Sequence, residues 1–413
     1  MTIAKYFDND VAIAIQNSVS ADAFGRLRVA NPHTIFDSKQ IFDNQPLFWD
    51  DQEVSGSGTT SVYDNDNARS RLGVAATTAG KRVRQTFMRF NYQPGKSQLI
   101  LMTAVISSAG AGINACIGSF DENNGVLFEV TNGILNAVIR SSTSGSPVDT
   151  KVARADWNGD GLDGTGPSGH TLDLTLTQLL WMDLEWLGVG RVRVGFIIDG
   201  EFILCHSFNN ANVLTSIYMS TPNLPLRYEL TNDGTGAAST MDHLCSTVIS
   251  EGGSQALGFT HWASTAGVHV DCNVENALYA IVGIRLKAAG LAATIRILST
   301  VIAEHQGNNT YEWALLINPT VAGTFTYAST DADLAIEQAT GATANTITGG
   351  HVLFGGYAAS EQKGGAETEA IDSALLLGSA IDGTPDELVL CVRPVGGSIN
   401  LDIEGGLNIQ QIS

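Results

Sequence analysis

The chain is predicted to be all-β, an extended N-terminal arm followed by two antiparallel β-sandwiches, and three observations predict this. In 413 residues, 44 glycines outnumber 10 prolines, while 44% of the chain is hydrophobic and only 15% charged, a profile of short strands joined by turns. Period-two alternation recurs from about residue 47 onward, bounded by Asn-Gly, Asp-Gly and Gly-Gly pairs. No segment combines convincing caps with more than three turns of helical periodicity. The length is too great for one ordinary domain. We expect an arm at 1–46, a large sandwich at 47–250, a linker at 251–257 and a second sandwich at 258–413.

The arm differs from the rest. It carries Phe7, Phe24, Leu27, Ile35, Phe36, Ile41 and Phe42 without sustained periodicity and is broken by Asn, Asp and Pro32. So many large apolar groups exclude compositional disorder, yet the segment cannot close a core by itself. It must lie along its own domain or a neighbouring subunit, and its segmented, extended character favours the neighbour.

In the first sandwich, residues 98–106, 125–130 and 134–140 read as strands, with Asn132-Gly133 as the turn between the last two. Residues 191–208 form the clearest hairpin: Val192, Val194, Phe196 and Ile198 alternate up to Asp199-Gly200, a pair that favours positive φ, and 202–208 returns. Residues 231–239 are a loop and 250–258 a linker. Strands resume at 268–272, 278–286, 293–301, 311–317, 388–392 and 399–403, with Gly396-Gly397 joining the last two as an expected hairpin.

The formal charge is −20, from 22 Lys and Arg against 42 Asp and Glu, dispersed along the chain. Such a field repels phosphate backbones and anionic membrane surfaces, so neither nucleic acid nor membrane is an expected partner. Cys116, Cys205, Cys245, Cys272 and Cys391 lie far apart, odd in number and without a CxxC pair, which argues against both a zinc knuckle and a disulfide scaffold. They read as small buried hydrophobes made under reducing conditions. The apolar run 11–15 is too short for a secretory leader, and no run is long enough for a membrane helix.

Two stretches could carry chemistry. DWNGDGLDGTG, at 156–166, places Asp156, Asn158, Asp160 and Gly161 at positions one, three, five and six of a helix-loop-helix calcium signature, and Asp163 offers another oxygen. The twelfth position, where a bidentate glutamate belongs, is Pro167, and the flanks are strand-like. A structural turn and a non-standard calcium site therefore both stay open, with the turn preferred because Asp, Asn and Gly are also turn residues.

The second stretch is Trp181-Met182-Asp183-Leu184-Glu185-Trp186. Residues two apart on a strand share a face, so Asp183 and Glu185 stand side by side, as the carboxylates of glycosidases must. It resembles the second half of the E-x-D-x-E strand of lectin-like sandwich glycosidases, with Trp181 where the first glutamate belongs. A three-residue turn at 187–189 sets Glu185 opposite Arg191 and Asp183 opposite Arg193, and salt-bridging would hold both acids ionised, against general-acid work. A paired polar face is the preferred reading. The histidines are scattered, His206 reads as a packed strand residue, and no nucleophile elbow or phosphate loop is present.

Residues 22–44, DAFGRLRVANPHTIFDSKQIFDN, together with 156–180 and 183–200, resemble segments of a group of virion structural proteins from tailed bacteriophages. The likeness runs from about residue 20 to 250. It implies a jelly-roll or lectin-like sandwich in a particle component of the head, neck, baseplate or fibre base, made in a host bacterial cytoplasm and located in the virion. It brings no catalytic residues. We therefore expect a non-enzymatic subunit that forms a homo-oligomer, a trimer being one open state, and contacts other virion proteins. The alternatives are a carbohydrate-binding module that adheres to a host surface glycan and a glycan-cleaving enzyme on the same sandwich. Exposed aromatic residues would mark the binding module; Trp181, Trp186, Trp262 and Trp313 are the candidates, each expected in the core.

Overall fold

The computed structural model describes residues 4–8, 11–15, 31–106, 109–255, 257–306, 309–360, 366–370 and 376–412. Among them helical structure is limited to two three-residue 3-10 turns, Arg154–Asp156 and Ala288–Gly290. The fold is all-β, built as two antiparallel sandwiches.

The first sandwich faces a seven-stranded sheet against an eight-stranded one. The former runs in the order Val148–Ala153, Ile134–Ser141, Gly125–Thr131, Ile113–Phe120, Leu226–Asn232, Gly80–Thr86 and Trp49–Gly56. The latter runs Glu201–Phe208, Val192–Ile198, Gln178–Leu184, Gln98–Ile106, Ser239–Ser250, Arg69–Val74 and Thr59–Asp64. Alternation builds the core between them: Leu180, Met182 and Leu184 point inward to meet Ile113, Ala115 and Ile117 from the facing sheet. Both expected hairpin turns form, with φ of 51° and 80° at Asn132 and Gly133 and of 54° and 84° at Asp199 and Gly200.

His33–Lys39 lies inside the segment expected to reach a neighbour, and it is the eighth strand of this sheet. It pairs with the second half of Ser239–Ser250, while Arg69–Val74 pairs with the first half. Phe36 is buried in the sandwich core against Phe90, whereas Ile41 and Phe42 are exposed. The stretch after the strand is held by a fully buried arginine: Arg84 donates to Gln40 Oε1, to the Asn44 carbonyl, to Asp51 and to His243 Nδ1. A buried guanidinium left without such acceptors would be costly, so this network fixes 40–44 onto the body of the chain.

The second sandwich packs Phe259–Ser264, Leu401–Ile412, Thr294–Glu304 and Ala366–Ala370, with Val270–Cys272, against a five-stranded sheet. That sheet runs Ile336–Thr340, Tyr279–Leu286, Glu387–Val395, Asn309–Ile317 and His351–Ser360. The expected hairpin at Gly396-Gly397 does not form. Glu387–Val395 and Leu401–Ile412 belong to opposite sheets, and the glycine pair carries the chain across the core from one to the other. The two sandwiches touch where the Ile381 amide donates to Asp50 Oδ2 at 2.7 Å and the Ser379 amide to the Phe87 carbonyl at 3.0 Å.

Cys116, Cys205, Cys272 and Cys391 are buried, but Cys245 is exposed. Trp181 and Trp313 are core-like in burial, Trp186 is half-buried with its indole N–H on the Met219 carbonyl, and Trp262 is exposed.

Candidate functional site

The outer face of the eight-stranded sheet collects the charged residues that the strand pattern exposes. With Leu180, Met182 and Leu184 turned inward, Trp181, Asp183 and Glu185 turn outward. The register sets Asp183 opposite Arg193 and brings the Glu185 amide to the Arg191 carbonyl at 3.0 Å. The turn closes as expected, the Gly190 amide donating to the Trp186 carbonyl at 2.7 Å, with Leu187 and Gly188 at positive φ.

Asp183 is nearly buried, and its two carboxylate oxygens are taken by Ser97 Oγ and by the Arg193 guanidinium. One register position on, the expected ion pair between Glu185 and Arg191 is absent: Arg191 donates instead to Ser207 Oγ at 3.2 Å, and both side chains are exposed. Lys96 holds to two neutral acceptors, Gln93 Oε1 at 2.6 Å and the Gly253 carbonyl at 3.0 Å. Asp183, Glu185, Arg191, Arg193, Ser97 and Lys96 line an open depression of about 330 Å³.

Beside it lies an aromatic step. Trp181 occupies an outward position yet is 4% exposed, because its neighbour across the ladder is Gly195 and the indole lies over it. A Cβ on Gly195 would fall 2.7 Å from the indole nitrogen. The Trp181 N–H donates to the carbonyls of Phe196 and Ile203, Arg193 stacks over the ring, and Phe202 meets it edge-on while remaining 55% exposed. Sequence patterning reaches Asp183, Glu185, Arg191 and Arg193. It misses Lys96 and Ser97, which enter from a turn some ninety positions away, and Phe202, whose outward alternation was a usable signal.

The loop at 156–166 is stitched to the protein by its own oxygens. The amides of Leu162 and Ser168 each donate to the Asp160 carboxylate at 2.7 Å, and the Thr165 amide donates to Asp163 at 2.8 Å. Burial alone would raise the Asp160 carboxyl, but the Ser168 and Leu162 bonds prevail and hold it below the usual range. The Asn158 side chain bridges the backbone of Ser207 at 2.9 Å in both directions, and the Asn158 backbone N–H donates to His206 Nδ1 at 3.3 Å. Asp156 is exposed. The guanidinium of Arg154 fills the loop, donating to the carbonyls of Gly161 and Leu162. Asn158, Asp160 and Asp163 are thus spent on donors and acceptors of the protein, Asp156 stands exposed, and the loop carbonyls of Gly161 and Leu162 are taken by a resident guanidinium, an arrangement that does not fit calcium.

The group of metal-ligating side chains that does converge among the described residues is on the second sandwich. His269, Asp271 and Asp402 hold ligand atoms within 4.8 Å of one another, and Asp271 stands directly opposite Asp402 in the ladder. Gln306 already donates to Asp402, and His269 lies 3.3 Å from Asp271. This donor set could take a divalent cation.

Neither a family model nor a curated protein sequence matches the chain. Solved structures do. A β-glucanase of Bacillus licheniformis is 10% identical, covers 52% of this chain and 96% of its own, and has a TM-score of 0.36. A glucan-active glycoside hydrolase of Bacteroides ovatus, in complex with an oligosaccharide product, is 10% identical with coverages of 52% and 99% and a TM-score of 0.35. The carbohydrate recognition domain of Emp47p is 10% identical with coverages of 56% and 99% and a TM-score of 0.33. At these identities the likeness extends to the sandwich architecture alone. It corrects the expectation of a non-enzymatic chain, since enzymes stand among the proteins that share this architecture and the fold gives no ground for setting catalysis aside.

Proposed function

We propose that this chain is a glycan-recognition protein whose site is the depression on the outer face of the eight-stranded sheet. The observation that carries the reading is the juxtaposition of Asp183, Glu185, Arg191 and Arg193 with the exposed Phe202 ring set edge-on against Trp181. A sugar presents hydroxyls around its rim and C–H bonds on its face. Carboxylates and guanidinium groups serve the first as acceptors and donors, and an aromatic step serves the second. The volume is at the lower end of ordinary small-ligand sites and suits one or two sugar units of a longer chain. The resemblance of 22–44, 156–180 and 183–200 to tailed-phage virion proteins supports a bacterial surface as the place where such a glycan is met.

The test is binding to a panel of bacterial surface polysaccharides and their oligosaccharides, with wild type and a Phe202→Ala, Glu185→Gln double variant compared. Loss of binding in a variant that still melts as wild type supports the site, and undiminished binding places recognition elsewhere. Because two carboxylates share one strand face, reducing-end release is followed in the same reactions. Release that disappears in Glu185→Gln assigns cleavage as well as binding to this face.

A further inference from the structure

We infer, resting on the glycan reading of this same depression, that its ligand is an acidic glycan whose sugars carry carboxylates. The chain has a formal charge of −20, yet Lys96, Arg191 and Arg193 gather at one opening. Elsewhere most of the described guanidinium groups are neutralised by partners of the same chain, as where Arg82 meets Asp51 at 2.6 Å, Arg140 meets Asp149 at 2.8 Å, Arg227 meets Glu229 at 2.7 Å and Arg393 meets Glu312 at 2.9 Å, while Arg154 is enclosed by the carbonyls of its own loop. The depression is set apart by bringing two cations without an acidic partner to one opening. Arg193 is spent on Asp183, but Arg191 and Lys96 make no ion pair among the described residues and are held by neutral oxygens, Ser207 Oγ for one and Gln93 Oε1 and the Gly253 carbonyl for the other.

Arg191 is the telling case. Glu185 stands at the adjoining ladder position and a pair between them was the expected arrangement, yet the guanidinium is anchored through one nitrogen to a hydroxyl and leaves its remaining donors to the opening. A planar carboxylate takes two parallel hydrogen bonds from such a fork, and a fixed ammonium nearby adds charge without demanding geometry. A neutral sugar takes single hydrogen bonds from these donors but makes no use of their charge or of the paired geometry. Asp183, with both oxygens occupied, adds little repulsion, and Glu185 is free to turn to solvent. The positions that remain for hydroxyl recognition, Ser97 and Glu185, flank the two cations.

The experiment measures affinity for a series of oligouronides and for the same oligosaccharides after reduction of their carboxyl groups. The acidic series should bind at least about tenfold more tightly. Arg191→Gln, which keeps a donor for Ser207, and Lys96→Gln should each cut the ratio of acidic to reduced affinity to about threefold or less, the acidic series losing more than the reduced one, and added sodium chloride should weaken the acidic series alone. If one variant fails to fold, the other carries the same test. Equal affinity for acidic and reduced forms overturns the inference while the glycan reading stands. Absence of binding to either form at Phe202 and Glu185 overturns the glycan reading itself.

Discussion

Asp183 and Arg193 stand directly opposite one another on adjacent antiparallel strands, and the guanidinium of one closes on the carboxylate of the other at the edge of the candidate site. The carboxylate is almost fully buried and the guanidinium nearly half exposed, so the two ends of the pair are unequal in what their loss costs. Arg193→Ala strands a desolvated carboxylate with Ser97 as its remaining partner and should destabilise the first sandwich by about 2 kcal/mol. Asp183→Asn leaves no bare charge and should cost about 1 kcal/mol or less. Denaturant titration of both variants measures the order; equal losses would mean that Asp183 is better hydrated than its burial indicates.

The 156–166 loop leads to a prediction about metal. The carboxylates of Asp160 and Asp163 accept from backbone amides and the carbonyls of Gly161 and Leu162 from Arg154, so melting in calcium and in excess chelator should give the same midpoint to within about two degrees. Asp160→Ala, by contrast, deprives two amides of their acceptor and should cost about 2 kcal/mol whether or not calcium is present. A midpoint that falls by about ten degrees in chelator for wild type but not for Asp160→Ala would restore calcium to the loop.

The strand of residues 33–39 leads to a third. Phe36 is 5% exposed in the core of the first sandwich, and truncation to alanine should cost about 3–5 kcal/mol, as for other buried phenylalanines. Removal of residues 1–45 takes the whole strand with it, bares the paired edge of Ser239–Ser250 and leaves Arg84 without Gln40 and Asn44. Circular dichroism of that truncated chain should show a protein that does not fold. A truncated chain that melts as a native sandwich would return this segment to the role of an arm for a neighbouring subunit.

What the sequence made legible was local. Alternation at Val192, Val194 and Phe196, and the Asp199-Gly200 turn, specify a hairpin without reference to anything outside it, and the register of Asp183 on Arg193 follows from the length of one turn. What it hid was non-local. Nothing in 33–39 says that its partner is Ser239–Ser250, two hundred positions on, and the apolar residues of that stretch read as an arm until Phe36 is seen inside the core. Gly396-Gly397 shows the same limit from the other side: two glycines mark a reversal, but whether the returning strand pairs with its predecessor or crosses to the opposite sheet depends on vacancies made by distant strands. At the site, register correctly set Glu185 and Arg191 in adjoining positions, but not the turn of the guanidinium toward Ser207, which lies on a third strand.

The buried imidazole of His243 gives the last prediction, a pH dependence with a definite sign. His243 is fully buried between Trp49 and Tyr228, and its Nδ1 accepts from Arg84 at 3.1 Å. Burial first, and the Arg84 charge second, hold it well below the usual histidine range, so it stays neutral in the folded chain. In the unfolded chain it takes up a proton near its ordinary value of about 6.5. Below that pH the unfolded state binds a proton that the folded state refuses, so stability is full above about 6.5 and is lost as pH falls, by about 1.4 kcal/mol per unit for this one group. His206, also lowered by burial, adds in the same direction. Gln at 243 keeps an acceptor for Arg84 but has no proton to bind, so unfolding free energies measured from pH 7 to 5 should fall less steeply in His243→Gln than in wild type, by up to one proton's worth of slope. Parallel curves for the two proteins would show that the folded chain accommodates a charged imidazole beside Arg84.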